Sequence, residues 1–482
     1  MTTLICPKAS PAVYKPRRPE KTVLFQVIKK HYKTWLKNTQ EAVPIYIDNE
    51  FKQYIQCGIL AHGFACAHCH DCHQNFLIAF SCKGRGICPS CNTRRMVETA
   101  AHLIENLIPP VPMRQWVISF PKRIRHYLQT DEILQMVLRI VVDEVKNRII
   151  ACSPKIGNAQ FGAISFIQRF GNTLNFHPHF HLVVADGIFE MKDNSFHFHE
   201  GFLTPDDIAD TQDNIRKRVL KLFGKRHWIE KDEVAKMLEY ENSGFSLDAK
   251  VKIESWDREG LERLIRYCAR PCFASENLRW NGPWLTYRLP KPTHTGKTFI
   301  QLDPLEFIDK IAAFIPSPRR HRHHYHGAFA PNAPLRPVIA AAAIQTPKNL
   351  VPPELQHTAN EVTKVSLNWA KLIARVYEVN PLLCTCGKEI KITSIVTDPA
   401  KIWGILKGIG WPTEALDFDP PSDFEICQLV PGTLDGFPTI DEPSRFESDH
   451  DPPQYEDCID PSPGEDSVDP PHWEDTNWII YN

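Results

Sequence analysis

Long apolar runs are missing from this chain of 482 residues. No stretch of about eighteen consecutive apolar residues occurs, so no membrane-spanning helix is expected. Met1 to Arg18 lacks the apolar segment of a secretory leader, so no signal peptide is expected either. No internal repeat is visible, which argues against solenoids and propellers. Basic residues are nearly absent from residues 417–482, where 18 Asp and Glu face Arg445 alone. That segment is also rich in proline, and it reads as a disordered acidic tail.

Removing the tail exposes a charge asymmetry. The whole chain has a net charge of -1, but residues 1–416 hold 55 Lys and Arg against 39 Asp and Glu. A body this basic suits a polyanionic partner, although many soluble domains are mildly basic. Hydrophobic content of 43% and charged content of 23% are those of a globular protein, and the length predicts two or three domains. Fifteen cysteines without a leader point to a reducing cytoplasm, where paired cysteines read as metal ligands before disulfides.

Along the chain, residues 1–20 read as a flexible arm and 21–56 as helix, with aliphatics and aromatics at helical spacing. Residues 57–95 concentrate Cys and His. A helix over 96–108 ends at Pro109-Pro110, residues 115–120 read as a strand, and 131–149 as a helix with Asp131 as its N-cap. Phe161 to Phe170 and Leu174 to Val184 read as two strands joined at Gly171-Asn172, followed by a polar loop. Helices are predicted at 205–223, 257–270 and 304–314, and strands at 284–289 and 298–302. Residues 331–353 form a Pro-rich linker, and 361–379 a small helical unit ahead of Cys384 and Cys386. Strands interleaved with helices give an α+β core.

Three clusters carry chemistry. Cys69-x-x-Cys72 and Cys88-x-x-Cys91 have the spacing of a structural zinc ribbon, because a two-residue gap lets both thiolates of a turn face one tetrahedral ion. Reduced core cysteines or redox pairs are the alternatives, and Cys57, Cys66, Cys82, His68, His70 and His73 lie nearby, so the four ligands stay open. Lys83, Arg85, Arg94 and Arg95 around these knuckles suit phosphate contacts.

His177, His179 and His181 alternate along a strand, which puts three imidazoles on one face, with Phe176, Phe180, Leu182 and Val184 on the other. Such a face suits a divalent metal, unless the histidines are incidental, as His197 and His199 could be. On the helix 257–270, Leu261, Leu264, Ile265 and Cys268 form the buried stripe, and Arg263, Arg266, Tyr267 and Arg270 the adjacent face. A tyrosine among arginines is placed to meet a phosphate in a field favouring phenolate. Taken alone, it is better explained by packing at a core edge among solvated arginines.

The order of these features resembles a known family. Phe80-Ser-Cys-Lys-Gly-Arg-Gly-Ile-Cys-Pro-Ser-Cys91 with Arg94-Arg95-Met96 resembles the zinc-binding segment of rolling-circle, HUH-type transposases of the insertion-sequence-91 family. Gln115 to Pro121 resembles the stretch that follows it there. Asn175 to His181 looks like the family's metal-binding strand, Arg266 to Pro271 its catalytic tyrosine segment, and Arg320 to Gly327 with Ala330-Pro331 a motif near the end of its catalytic domain. The resemblance runs from about residue 20 to about 395.

It implies a nickase with an antiparallel sheet and packed helices over 111–330, preceded by a helical, zinc-ribbon DNA-binding module over 21–110 and followed by a small C-terminal unit over 354–416. Tyr267 would be the nucleophile forming a 5′-phosphotyrosine. His179 and His181, with His177 less firmly, would hold Mg2+ or Mn2+, while Cys69, Cys72, Cys88 and Cys91 would hold structural Zn2+. Lys83, Arg85, Arg94, Arg95, Arg263, Arg266 and Arg270 would contact DNA. The partners implied are single-stranded DNA at mobile-element ends and target DNA, in a bacterial cytoplasm at the nucleoid. Founding members carry a second tyrosine four positions on. Here that position is Pro271, which resembles the single-tyrosine branch. Glu259 and Glu262 are candidates for a third metal ligand. Cys384-x-Cys386 is one residue short of a full knuckle, with no second pair close by, so no complete site is expected there. A plasmid relaxase or replication initiator, and a non-catalytic zinc-dependent DNA-binding protein, are the competing readings.

Overall fold

The structure, a computed structural model, describes residues 18–39, 42–193, 195–293, 295–345, 384, 386, 388, 390–422 and 478–481. It opens with helices α1 (Val23–Asn38) and α2 (Ile45–Gln56) where one helix was expected; Pro44 takes the N-cap of α2 and ends any continuation. Strands β1 (Phe64–Cys69) and β2 (Asn75–Ala79) form a hairpin. Helix α3 (Pro89–Asn106) starts earlier than expected, because Cys88 is its N-cap and Pro89 suits a first helical position. Then come β3 (Met113–Ser119), α4 (Lys122–Arg125) and α5 (Asp131–Ala151), whose N-cap is Thr130 rather than Asp131.

The hairpin of β4 (Gly162–Phe170) and β5 (Phe176–Ala185) follows. The expected polar loop is a second hairpin, β6 (Gly187–Lys192) and β7 (Ser195–Glu200), which carries His197 and His199. Helix α6 (Pro205–Lys225) opens with a capping box between Thr204 and Asp207. It leads through α7 (Lys231–Glu239), β8 (Ser246–Asp248) and β9 (Lys252–Ile253) to α8 (Arg258–Ala269). The remaining elements are β10 (Leu278–Asn281), β11 (Trp284–Arg288), β12 (Phe299–Leu302), α9 (Pro304–Ala313), β13 (His323–Gly327), α10 (Arg336–Gln345), β14 (Ile390–Val396), α11 (Pro399–Gly408) and β15 (Trp478–Tyr481).

The central sheet is antiparallel in the order β13-β4-β5-β3-β8, with β9 also paired to β3. Alternation along its strands fills both faces. Trp116, Ile118, Phe180, Leu182 and Val184 point to one core, covered by α5 and α6. Ile164, Phe166 and Val183 point to the other, covered by α3, α8 and Leu335 and Ile339 at α10. The strand with the three histidines is thus the middle one, and the tyrosine helix packs across its histidine face.

The rest of the chain divides differently from the sequence reading. Strands β10 to β12 and α9 lie within the span assigned to the nickase, yet Leu278, Leu285, Tyr287, Phe307 and Ile311 share a core with Leu24, Phe25, Val27 and Ile28 of α1. The three-stranded sheet has one apolar face, and α1 supplies the cover it needs. The span read as a Pro-rich linker holds α10 in its middle; its end, the helical unit at 361–379 and residues 1–17 lie outside the described residues.

Most of the acidic tail also lies outside the described residues, but its start does not behave as a solvated appendage. Phe418 is buried and its ring lies 4.6 Å from that of Tyr32. Lys33 donates to the Phe418 carbonyl at 3.1 Å, Asp419 N–H to the Lys29 carbonyl at 2.9 Å and Ser422 N–H to Thr34 Oγ1 at 3.0 Å. Residues 417–422 are a docked strap on α1, because one aromatic among the acids finds an apolar site there.

Candidate active site and cysteine clusters

Position along β5 dictates the histidine face. His177, His179 and His181 alternate with the core residues Pro178 and Phe180, and the rings follow one another at centroid spacings of 5.3 and 5.0 Å. Tyr267, on the last turn of α8, stands edge-on to His181 at 5.6 Å. Asp257 caps that helix by accepting the Gly260 N–H at 2.8 Å, and Leu261, Leu264, Ile265 and Cys268 seat it on the sheet. The Arg270 guanidinium lies 4.6 Å over the Tyr267 ring.

Two glutamines that the sequence reading passed over complete this face. Gln168 of β4 is in register with His179. Its Nε2 donates to the carbonyls of Tyr267 and Cys268 at 3.1 and 2.9 Å, while its Oε1 is buried without a hydrogen-bond partner. Gln115 of β3 places Nε2 2.9 Å from His181 Nδ1. The signal was present in the sequence: each is a polar residue at a buried position of a central strand.

The surroundings of His181 favour its neutral form. Burial, helped by the nearby charges of His179 and Arg270, pushes the His181 pKa well below the usual imidazole value, and its Nε2 is buried without a hydrogen-bond partner. His179 Nδ1 lies 2.8 Å from the His177 carbonyl, which fixes its proton there and leaves the lone pair on Nε2. Two imidazoles and a buried amide oxygen on one face fit the nitrogen and oxygen preferences of a divalent ion. The carboxylates suggested as a third ligand do not join them. Glu259 is exposed, Glu262 pairs with Arg266 at 2.8 Å, and no carboxylate converges with two of the histidines among the described residues.

The basic residues have mixed surroundings. Arg263 is exposed on α8. Arg94 pairs with Glu98 at 2.9 Å, and Arg95 donates to the Lys83 carbonyl at 2.8 Å. Arg85 donates to the Arg320 carbonyl. The glycine-rich loop beside Lys83 does not offer its amides to a phosphate: Glu50 Oε1 already accepts the N–H groups of Arg85, Gly86 and Ile87 at 2.7, 2.7 and 3.3 Å.

The cysteine grouping needs correction. Cys69, Cys72, Cys88 and Cys91 do not meet. Cys88 and Cys91 join Cys57 and Cys82, while Cys69 and Cys72 join Cys384 and Cys386, and within each set the sulfurs all lie within 4.8 Å of one another. The cause is the β1–β2 hairpin. Cys69 and Cys72 sit at its tip and Cys57 and Cys82 at its base, and a strand of this length separates the ends by roughly 17 Å, far beyond the reach of one ion. Cys384 and Cys386, for which the sequence offered no second pair close by, meet such a pair at the hairpin tip.

In the base set, Cys57 Sγ lies 3.6 Å from Cys88 and 3.9 Å from Cys91, and Cys82 lies 3.5 Å from Cys91. Four thiolates at about 2.3 Å from a tetrahedral zinc stand about 3.8 Å apart, so the set is dimensioned for that ion. Hydrogen bonds from Cys57, Cys82 and Cys88 hold the Cys91 thiol far below its usual range, while hydrogen bonds with Cys57, Cys82 and Cys91 push Cys88 up. Four thiols so close cannot all ionise without a cation among them.

Two family models match the chain. Residues 27–120 match a family described as "Transposase zinc-binding domain", and residues 162–335 one described as "Putative transposase". Searches of curated proteins and of solved structures found no match. The first match spans the Cys57, Cys82, Cys88 and Cys91 set, and the second spans the histidine strand and the tyrosine helix. With both in this order, the chain belongs to the insertion-sequence-91 family of transposases.

Proposed function

We propose that this transposase nicks and rejoins single-stranded DNA through Tyr267, in a rolling-circle reaction with a divalent metal at the histidine face. The observation that carries the reading is the meeting of Tyr267 with His181 on the face that also presents His179 and Gln168. The Tyr267 oxygen attacks the scissile phosphorus, the bond from phosphorus to the 3′-oxygen breaks, and the 3′-oxygen leaves and takes a proton. A 5′-phosphotyrosine and a free 3′-hydroxyl result. Joining is the reverse attack by a 3′-hydroxyl, so one phosphodiester replaces another without an external energy source.

His179, His181 and Gln168 Oε1 would hold the ion, with His177 beside them. Mg2+ or Mn2+ bound there would polarise the phosphate and neutralise charge developing on its oxygens. An amide of Gln115 turned to accept from His181 Nδ1–H leaves the Nε2 lone pair for that role. Arg270, stacked on the Tyr267 ring, restrains the phenol and places positive charge beside the attacked phosphate. With one tyrosine on α8 and Pro271 in place of a second, a single nucleophile serves both steps. Cys57, Cys82, Cys88 and Cys91 would hold Zn2+ as the structural core of the DNA-binding module, and Lys83, Arg85, Arg94, Arg95 and Arg263 would follow the phosphate backbone.

The test mixes purified protein with labelled single strands from the ends of its own element, with Mn2+ or EDTA, on a denaturing gel. A metal-dependent covalent adduct that disappears in Tyr267→Phe is the expected result. Tight, salt-sensitive binding without any adduct would overturn it in favour of a non-catalytic DNA-binding protein.

A further inference from the structure

We propose that Cys69, Cys72, Cys384 and Cys386 hold a second zinc ion, and that this ion clasps the C-terminal unit to the tip of the N-terminal hairpin. Cys69 and Cys386 lie 3.6 Å apart and Cys72 and Cys384 3.1 Å apart, and all four sulfurs fall within 4.8 Å of one another. Thiolates at about 2.3 Å around one tetrahedral ion require sulfur separations of about 3.8 Å. The set is close to that, and it comes from residues 312 and 317 positions apart in the chain.

The first pair sits on a tight turn. Cys69 N–H donates to the Gln74 carbonyl at 2.9 Å and His73 N–H to the Cys69 carbonyl at 2.9 Å, with His73 in the left-handed region at φ 59°. Cys384 N–H donates to the Lys388 carbonyl at 2.7 Å. Shortly after Lys388, β14 pairs antiparallel with β1 from Cys69↔Ile390 to Phe64↔Val396. The sheet therefore fixes the second pair opposite the first.

Apart from the ladder to β1 and the strap on α1, the unit has a small core. Of β14 only the two ends, Ile390 and Val396, are buried, and Ile392 and Ile395 are 58% and 70% exposed. The core beneath it consists of Leu60, Phe64, Leu77, Ala79, Val396, Ile402 and Leu406. A core so small is the situation in which natural proteins add a metal or a disulfide. Four thiols on two knuckles suit zinc, whose binding free energy then becomes folding free energy for the docked unit. The clasp is independent of the chemistry at Tyr267.

The test uses the full chain, purified under reducing conditions. Metal analysis should give two zinc ions per chain, and a Cys384→Ser, Cys386→Ser double variant should keep one. Cys72 and Cys386 are solvent-exposed, so burial cannot shield them. In the wild-type protein both should resist N-ethylmaleimide until a chelator is added, a readout that stands even if the variant does not fold. Amide hydrogen exchange in β14 should speed up at least tenfold on chelation or in the variant, with β5 unchanged. One zinc per chain in both proteins, iron in place of zinc, prompt labelling of Cys386, a Cys72–Cys384 disulfide, or unchanged exchange in β14 would each overturn the proposal.

Discussion

The imidazole of His181 and the phenol of Tyr267 meet edge to face, with ring centroids 5.6 Å apart and planes at 87°. One ring is fixed by the pleat of a central strand and the other by the last turn of a helix seated on that strand. Neither can move far without disturbing a packed core, so the separation between Tyr267 and the histidine face is built into the fold.

His179→Ala is expected to abolish the covalent adduct, a loss of at least ~100-fold, while binding to single strands changes by less than about threefold. The reason is that chemistry depends on the histidine face, whereas phosphate contacts come from Lys and Arg elsewhere. Gel-shift and suicide-cleavage assays on one preparation separate the two quantities. Retained cleavage would remove His179 from the site.

Gln168→Leu tests the amide that joins sheet to helix. It removes two hydrogen bonds to the Tyr267 and Cys268 carbonyls and the buried Oε1. Each lost bond is worth about 1 kcal/mol, so a modest fall in melting temperature is expected. Adduct formation should drop by ~10-fold or more with DNA affinity unchanged. A drop in stability alone, at full cleavage rate, would confine Gln168 to packing.

How far the sequence reaches is clearest at this face. The alternation of His177, His179 and His181 and the stripe below Tyr267 were legible because a strand and a helix impose fixed periods. Gln115 and Gln168 were harder to see, since each acquires its role only when three strands align in register. The cysteines show the same limit. Spacing revealed that pairs exist, but which pairs share an ion depends on a hairpin length and on a strand arriving from residue 390. The docking of β10 to β12 on α1 and of Phe418 on Tyr32 left no local signal, because cover for an apolar face can come from any distance along the chain.

Cys57→Ser should cost one zinc ion and lower the melting temperature, and Cys66→Ser should do neither. Cys57 lies within 3.9 Å of both Cys88 and Cys91, while Cys66 belongs to neither four-sulfur set. Metal content and thermal melts of the two variants compare a ligand with a bystander of the same chemistry on the same hairpin.

The strand β13 makes stability pH-dependent. Burial lowers the pKa of His323 and of His326 to about 4. A histidine with a depressed folded pKa contributes stability that is present above its unfolded value, near 6.5, and is lost as pH falls through the folded value. Melting temperature should therefore decline between pH 6.5 and about 4. His326 Nε2 lies 2.8 Å from Ser165 Oγ, and His326→Asn should flatten the slope relative to wild type, which separates this effect from acid release of zinc. An unaltered slope would assign the decline elsewhere.

The strap formed by residues 417–422 sets where the acidic tail can be removed. Phe418 fills a site beside Tyr32, and its neighbours bond to Lys29, Lys33 and Thr34. Truncation after residue 422 removes β15, which pairs with β2, but keeps the strap, and should leave the α1 core and the adduct assay unchanged. Truncation after residue 416 removes the buried ring and should destabilise the α1 core by about 3 kcal/mol, the usual cost of deleting a buried phenylalanine. Phe418→Ala in the full chain should reproduce most of that loss, because the ring supplies the burial while the flanking ion pairs are exposed and weak. If the point variant melts like wild type, the strap is held by its backbone and charges instead, and the two truncations should then differ by less than about 1 kcal/mol.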